Sequence, residues 1–221
     1  MFRIKTVFAF ALQLCYLTYH FSKAVDPLTL TGLLLDDNSN PIEGGKVQIW
    51  QADENGNYDH PLNSVLGGQL DPSFQYYGTA TTAADGNYTF TTIRPGRYAQ
   101  RPVIHVHFKI FVDGTLEHTT QFYFTDDGVA DVSIYSDTIV VTPVDNGDGS
   151  MTATKNLVIN MGGGGDAQIT AKQPAGPFYP CEDFFDLGPN LILNDRRRKA
   201  RGLRGGQKAK EIMKSLVTRW G

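Results

Sequence analysis

The stretch "RPGRYAQRPVIHVHFKIF", residues 94–111, decides the fold and also raises the question of function. Apolar residues occupy every second position from Ile104 to Ile110, which is the spacing of a β-strand with one buried face. His105 and His107 stand between these apolar residues. Since residues two apart in a strand point to the same side, we expect both imidazoles on one face and the apolar side chains on the other.

The same short-period pattern continues through the chain from Leu28 to Ile159. β-branched and aromatic runs alternate with turn residues at roughly ten-residue intervals, as in sandwiches and barrels. We therefore predict an all-β domain, a β-sandwich of two mainly antiparallel sheets. The predicted strands are Leu28–Leu35, Lys46–Ala52, Gly86–Ile93, Val103–Val112, His118–Phe124, Asp131–Thr142 and Met151–Asn160.

The first 24 residues have the composition of a secretory signal peptide. Arg3 and Lys5 precede an apolar stretch, which ends at a small-residue cleavage site, Ser22-Lys23-Ala24. The apolar stretch is shorter than the roughly 20 residues that a membrane-spanning helix needs, although an uncleaved anchor is the alternative. We expect a secreted, extracellular protein that begins near Val25 and has no membrane span in the mature chain.

Charge and cysteine content narrow the possible partners. Residues 1–195 contain 10 Lys and Arg against 22 Asp and Glu (net −12), whereas residues 196–221 contain 10 against 1 (net +9). An acidic body argues against nucleic acid as the main partner. The cysteines are Cys15 and Cys181, and loss of the signal peptide would leave one thiol and no internal disulfide.

The chain divides into four predicted parts. Residues 1–24 are the signal peptide and residues 25–161 are the sandwich. Residues 162–195 begin with a glycine-rich break and contain a Gly-Pro-Phe-Tyr-Pro segment that could pack on the same core. Residues 196–221 form a basic tail, which is predicted to be disordered or short-helical.

Two tyrosines accompany the histidine pair at predicted strand ends. Tyr58 lies in "NGNYDHP" and Tyr98 in "RPGRYAQ", each close to a sharp turn. A phenol ionises near neutral pH only beside a strong Lewis acid, and its hard oxygen suits a trivalent ion such as Fe(III). Each of these residues alone is more often an ordinary core or rim residue. Their joint occurrence favours a metal site.

Four motifs in the same order resemble the intradiol ring-cleavage dioxygenases, the catechol and protocatechuate group. The resemblance covers Leu28 to about Asp127. The matching stretches are "LTGLLLDDNSNPIEGGKVQIWQADENGNYDH", "ADGNYTFTTIRPGRY", "HVHF" and "TTQFYF".

This resemblance implies a non-haem Fe(3+) enzyme that inserts both atoms of O2 into a catechol-type ring. The ring would be cleaved between its two hydroxyl-bearing carbons to give a muconate-type diacid. The implied partners are a small-molecule catechol and O2, and the oligomeric state stays open. By the resemblance the iron ligands are Tyr58, Tyr98, His105 and His107, and the catalytic residues are Tyr98, Arg101 and Gln121.

Two features depart from the family pattern. Arg101 lies four residues before the first histidine, whereas the family arginine lies three before it. The Gly-Pro-Phe-Tyr-Pro segment follows the last predicted strand, whereas in the family it precedes the first. A circular permutation, the truncated start of a second copy, or a wrongly joined gene model would each explain this order.

Two non-enzymatic functions remain open from the sequence. A prealbumin-like sandwich also occurs in extracellular binding modules without catalysis, and a fold alone does not specify activity. A secreted structural protein that kept the fold and the iron is the other possibility. A binding module has no need of two tyrosines together with His-x-His.

Overall fold

The computed structural model describes residues 27–98 and 101–193, so the predicted signal peptide and basic tail lie outside it. Within these residues, no helix is long and apolar enough to cross a membrane. The described residues contain one short helix, α1 (Pro61–Val65), a 3₁₀ turn (Asp137–Ile139), and ten strands. The strands are β1 (Pro27–Leu35), β2 (Lys46–Trp50), β3 (Tyr77–Thr81), β4 (Asn87–Ile93), β5 (His105–Val112), β6 (Thr115–Phe124), β7 (Val140–Val141), β8 (Pro143–Asp145), β9 (Met151–Thr154) and β10 (Leu157–Val158).

The strands form two five-stranded sheets. In the first sheet, β1 pairs with β4 along one edge and with β9 and β10 along the other, and β8 pairs with β9. The second sheet has the order β3-β2-β5-β6-β7. Among the pairings between the ten strands of the described residues, β1–β9, β1–β10 and β6–β7 are parallel and the others are antiparallel. This architecture confirms the predicted all-β sandwich of two mainly antiparallel sheets.

The core lies between the sheets and is built from alternate residues of each strand. On β5, the side chains of Val106, Phe108 and Ile110 are fully buried. The Phe108 ring lies 4.4 Å from the Phe122 ring on β6 and 6.4 Å from the Tyr88 ring on the opposite sheet. The predicted apolar face of β5 is therefore confirmed. Its burial is a main source of the fold's stability.

The predicted strand Asp131–Thr142 is wrong over most of its length. Strand structure in this stretch is confined to Val140–Val141. The Asp131 carboxylate accepts the backbone N–H of Ser133, and the Ser136 hydroxyl accepts that of Thr138 at the start of the 3₁₀ turn. Such local side-chain hydrogen bonds offer the backbone an alternative to the sheet.

One further predicted strand needs correction, and one strand was not predicted. The predicted strand Met151–Asn160 is interrupted after Thr154, where the Asn156 side chain accepts the Leu33 N–H at 3.0 Å and takes the place of a backbone acceptor. Strand β3 (Tyr77–Thr81) is absent from the predicted strands. Its isolated position among turn residues hides it from a search for periodicity.

The segment after β10 returns across the molecule and covers the outer face of the second sheet. It leaves the first sheet through a hydrogen bond from Thr170 N to Val158 O and reaches β6 through one from Gln173 N to Thr119 O. Farther along, Thr79 N on β3 donates to Leu187 O. Its apolar side chains are buried in the same hydrophobic cluster as the sheets, notably Phe178, Phe184 and Leu191.

Truncation of Phe184 should destabilise the whole sandwich. The side chain is 1% exposed, lies against the Tyr77 ring at 5.1 Å, and its backbone oxygen accepts the Thr79 hydroxyl. We expect Phe184→Ala to lower the free energy of unfolding by about 3–5 kcal/mol, the usual cost of removing a buried phenylalanine. Urea denaturation followed by circular dichroism measures this change.

The neighbouring Phe185 provides the matched control. It is 42% exposed and makes an edge contact with Phe111. We expect Phe185→Ala to change the free energy of unfolding by about 0.5 kcal/mol or less. Equal and small losses for both variants would contradict the conclusion that the segment belongs to the sandwich's cooperative unit.

Candidate functional site

The two histidines of β5 lie on the outer face of the second sheet, as the sequence predicts. His105 is 2% exposed and His107 is 1% exposed. Their Nε2 atoms are 3.1 Å apart, and their ring centroids are separated by 4.7 Å. The Nε2 atoms of both rings therefore point to the same place on the outer face of the sheet.

A backbone contact sets the tautomer of His105. Its Nδ1 lies 2.6 Å from the carbonyl oxygen of Val103. Because a carbonyl oxygen can only accept, Nδ1 carries the proton and donates the hydrogen bond. The Nε2 atom is then an unprotonated lone-pair donor that faces His107. This arrangement, one ring nitrogen fixed by a backbone acceptor and the other free to bind, is characteristic of metal-binding histidines.

Ring packing orients His107. Its ring stacks on Trp50 of β2 with centroids 4.7 Å apart and planes 8° apart. Its Nδ1 has no hydrogen-bond partner among the described residues. On the other side, a side chain at Gly176 would place its Cβ only 3.2 Å from His107 Cε1, so the covering segment approaches the ring closely where it has no side chain.

Both predicted tyrosines meet the histidines at this place. The Tyr58 hydroxyl lies 3.3 Å from His105 Nε2, and the Tyr58 side chain is 2% exposed. The Tyr98 ring is half-buried and lies edge-on to the Tyr58 ring at 5.5 Å, and 6.0 Å from the His105 ring. The structure thus brings together all four side chains that the sequence singles out.

Close backbone contacts hold the two tyrosine-bearing turns against each other. A Cβ at Gly96 would lie 2.1 Å from Glu54 O, and one at Gly56 would lie 2.1 Å from Arg97 O. Gly56 also has a φ of +82°, which other residues rarely adopt. Only glycine fits these two positions, and the contact fixes the turn before Tyr58 relative to the turn before Tyr98.

A buried carboxylate organises the turn before Tyr58. Asp53 is fully buried and accepts the backbone N–H groups of Asn55 and Asn57 at 2.9 Å. It also accepts the Tyr76 hydroxyl at 2.8 Å, and its backbone oxygen accepts Gly96 N–H at 2.8 Å. Every oxygen of Asp53 is therefore used to shape the loop that presents Tyr58.

The Gly-Pro-Phe-Tyr-Pro segment forms a wall of the site. Phe178 stacks on Tyr58 with ring centroids 4.8 Å apart and planes 12° apart, and it meets Tyr98 edge-on at 5.6 Å. The Gln121 amide donates to Pro174 O at 2.5 Å. The sequence identifies this segment as a motif. It does not show which surface the segment covers, because no local sequence pattern specifies its packing against the site.

Arg101 and Gln121 both reach this region. The Arg101 guanidinium donates to the Tyr123 hydroxyl at 2.5 Å, and that hydroxyl donates to Gln121 Oε1 at 3.1 Å. Arg101 N also donates to Tyr98 O at 3.0 Å. The guanidinium therefore reaches the site although Arg101 lies one residue out of the family's register.

Tyr123 is a site residue that sequence reasoning missed. Its ring is fully buried, stacks on Tyr135 with centroids 3.8 Å apart, and lies 6.2 Å from His105. Burial is the main cause that raises the pKa of Tyr123 to about 12. The signal was present in the sequence, because alternation in "QFYF" puts Tyr123 on the same face as Gln121.

Burial keeps the four central side chains uncharged near neutral pH. It lowers the pKa of His105 to about 4 and that of His107 well below its ordinary value, with a further lowering by Arg101. Burial raises the pKa of Tyr58 far above 10 and that of Tyr98 to a smaller extent, because Tyr98 is only half-buried; the positive charge of Arg101 opposes the effect at both hydroxyls. The cluster therefore presents lone pairs without compensating charge.

This donor set fits a ferric ion. Among the described residues, no three or more His, Cys, Asp or Glu side chains are grouped to hold a metal, so any ion here depends on the tyrosines. A strongly charged cation lowers the pKa of a coordinated hydroxyl. Its binding also offsets the free-energy cost of burying uncharged polar donors. Two imidazole nitrogens and two phenol oxygens suit a hard trivalent ion better than zinc, which prefers thiolate and imidazole.

The remaining two described histidines play other parts. His60 Nε2 lies 3.3 Å from the exposed thiol of Cys181, and its ring meets Phe178 edge-on at 5.8 Å. His118 is 2% exposed and pairs with Ile110 on the core-facing side of β6. His60 borders the site, whereas His118 belongs to the sandwich interior.

Comparison with known proteins supports one family. A dioxygenase family model (Dioxygenase_C) matches residues 19–161. The protocatechuate 3,4-dioxygenase beta chain of Burkholderia cepacia is 37% identical over 108 residues, which cover 45% of either chain. Catechol 1,2-dioxygenase 1 of Acinetobacter lwoffii is 32% identical over 119 residues, 46% of this chain and 37% of that one. The chain thus matches less than half the length of these relatives.

The solved structures agree in fold. The 3-chlorocatechol 1,2-dioxygenase of Rhodococcus opacus 1CP superposes with a TM-score of 0.50 and 21% identity. The superposition covers 63% of this chain and 61% of that one. Because the family model matches more than half of the chain, including the segments that carry the tyrosines and histidines, this protein belongs to the intradiol ring-cleavage dioxygenase family.

Proposed function

We propose that this protein is a ferric intradiol dioxygenase. It would bind a catechol-type substrate and insert both atoms of O2, cleaving the ring between its hydroxyl-bearing carbons. The observation that supports this most directly is that the Tyr58 hydroxyl and His107 Nε2 both lie close to His105 Nε2, at 3.3 Å and 3.1 Å. Tyr98 borders the same point, and the family to which the chain belongs is generally dependent on ferric iron.

In this proposal the four side chains hold the metal and Tyr98 also moves a proton. A bound ferric ion would act as a Lewis acid toward the catechol oxygens. Tyr98 is half-buried, so its oxygen, ionised as a metal ligand, would be placed to take up a proton from the substrate. Tyr58 is more deeply buried behind Phe178 and is suited to remain a fixed ligand.

The other polar groups would orient and stabilise the substrate. The Arg101 guanidinium supplies positive charge beside the tyrosines and histidines, where it can stabilise the electron-rich ring. The Gln121 side chain is fixed between Tyr123 and Pro174 and borders His107 across the β5–β6 pair. Phe178 would exclude water from one side of the site.

Iron loading tests the proposal. Purified protein reconstituted with Fe(III) should become burgundy, because tyrosinate-to-iron charge transfer absorbs visible light. The absorption should shift when a catechol is added, and ring-cleavage product should accumulate as O2 is consumed. Protein that takes up no iron after careful reconstitution would contradict the proposal. Iron uptake without turnover of any catechol would support the structural alternative.

A pair of tyrosine variants extends this test to the ligands themselves. Tyr98→Phe should weaken the visible band and lower kcat by about 100-fold or more, since both a ligand and a proton acceptor are removed. Tyr88→Phe is the control: Tyr88 is a buried tyrosine whose hydroxyl donates to Lys155 O between the sheets. A Tyr98→Phe variant that matched Tyr88→Phe in band intensity and turnover would show that Tyr98 is neither a ligand nor the proton acceptor.

Substitution of Arg101 tests its proposed role in stabilising charge. We expect Arg101→Gln to lower kcat about 100-fold, as removal of one preorganised donor commonly does, while the iron band persists. Arg101→Lys retains the charge and should recover part of the loss. Steady-state kinetics on a simple catechol measures both. An unchanged kcat for Arg101→Gln would show that this arginine serves the fold alone.

We also propose that residues 1–24 direct export and are removed. The basic start, the apolar stretch and the small-residue site support this proposal. When the protein is expressed in a secreting host, it should be recovered from the culture medium. N-terminal sequencing should then show that its first residue lies near Val25. Retention of Met1 in protein that stays with the cells would contradict it.

A further inference from the structure

The buried carboxylate of Asp127, just after β6, links the two segments that carry the candidate ligands Tyr98 and His105. Its side chain is fully shielded from solvent. Oδ2 accepts the backbone N–H of Ile104 at 2.7 Å, and Oδ1 accepts the Ala130 N–H at 2.8 Å. Because Ile104 directly precedes His105, the carboxylate fixes the point at which β5 begins.

The same carboxylate forms an ion pair with the residue before Tyr98. Arg97 Nη1 lies 2.6 Å from Asp127 Oδ1 and also donates to Pro102 O at 2.5 Å. Arg97 Nη2 donates to the backbone oxygen of Asp127. The pair thus connects Arg97, directly before Tyr98, to Ile104, directly before His105, and also contacts Pro102 between them.

Asp127 is ionised although it is buried. Burial raises its pKa, but hydrogen bonds from the N–H groups of Ala130 and Ile104 and from Arg97 outweigh that effect, and the net pKa is lowered. Removing one partner of such a buried pair is costly, because the other charge and its hydrogen bonds lose their counterpart.

A neighbouring ion pair gives an internal comparison. Arg94 and Asp126 form a 2.8 Å contact between the same two loops, with side chains 21% and 42% exposed. An exposed pair of this kind contributes little to stability. Among the described contacts, Asp126 accepts no hydrogen bond from the segment before His105. The two adjacent aspartates therefore differ in whether they contact the backbone next to a candidate ligand.

We propose that Arg97 and Asp127 are positioning residues that hold Tyr98 and His105 at the separation required for metal binding. This inference rests on the proposed ferric function. Neither residue touches the metal or the substrate, and each acts through the backbone of the residue beside a ligand. Backbone partners that orient ligands commonly affect metal affinity by about 10- to 100-fold.

Asp127→Asn is the first test, because it keeps the shape and removes the charge. An amide has one acceptor oxygen, so it cannot accept both from Ile104 on one side and from Ala130 and Arg97 on the other. We expect the affinity for Fe(III), measured by competition with a chelator, to fall about 10- to 100-fold. The visible band should also shift, since a changed distance between ligands alters the charge transfer.

Asp126→Asn is the matched control and should leave both the iron affinity and the band as in the wild type. Equal iron affinity for Asp127→Asn, Asp126→Asn and the iron-binding wild type would overturn the inference alone. A wild type without iron uptake would overturn the proposed function and the inference together. Thermal unfolding of the iron-free variants separates lost positioning from a lost fold.

Arg97→Gln supplies a second test that does not require a buried charge to be removed. Arg97 is 28% exposed, and its loss leaves the bond between Asp127 and Ile104 in place. We expect a several-fold loss of iron affinity in the wild-type background and little further loss in a Tyr98→Phe background. The same loss in both backgrounds would show that Arg97 does not act through Tyr98.

Discussion

The alternation of side chains along β5 determines both the packing of the core and the position of the site. Val106, Phe108 and Ile110 are packed into the sandwich, so the strand cannot shift by one residue without exposing them. The same register forces His105 and His107 to the opposite face, with their Nε2 atoms 3.1 Å apart. The stability of the core therefore fixes the geometry of the site.

The site differs from an ordinary part of the core because its polar atoms have few partners other than one another. Burial keeps both imidazoles and both phenols uncharged, and Arg101 adds one positive charge beside them. Uncharged lone pairs gathered without a counter-charge are well suited to a cation but cost free energy without one. Close loop contacts at Gly56 and Gly96 and the stack of Phe178 on Tyr58 resist a collapse of this arrangement.

The sequence predicts those parts that depend on local periodicity, and misses those that depend on long-range contacts. The two faces of β5 were predicted from its alternation of apolar and other residues. The loops that carry Tyr58 and Tyr98 were predicted from their turn residues. The hydrogen bond from the Ile104 N–H to the Asp127 carboxylate joins residues 23 positions apart, so no local sequence pattern indicates it. The predicted strand at residues 131–142 failed because short polar side chains bind their own backbone there, an option that β-propensity does not weigh.

We propose that one ferric ion lies among two tyrosines and two histidines. Anomalous X-ray diffraction at the iron edge, from crystals of the iron-loaded protein, locates this ion. We expect a single strong anomalous peak bounded by the side chains of Tyr58, Tyr98, His105 and His107. An iron peak elsewhere in the chain, or no peak at this position in crystals of iron-loaded protein, would contradict it.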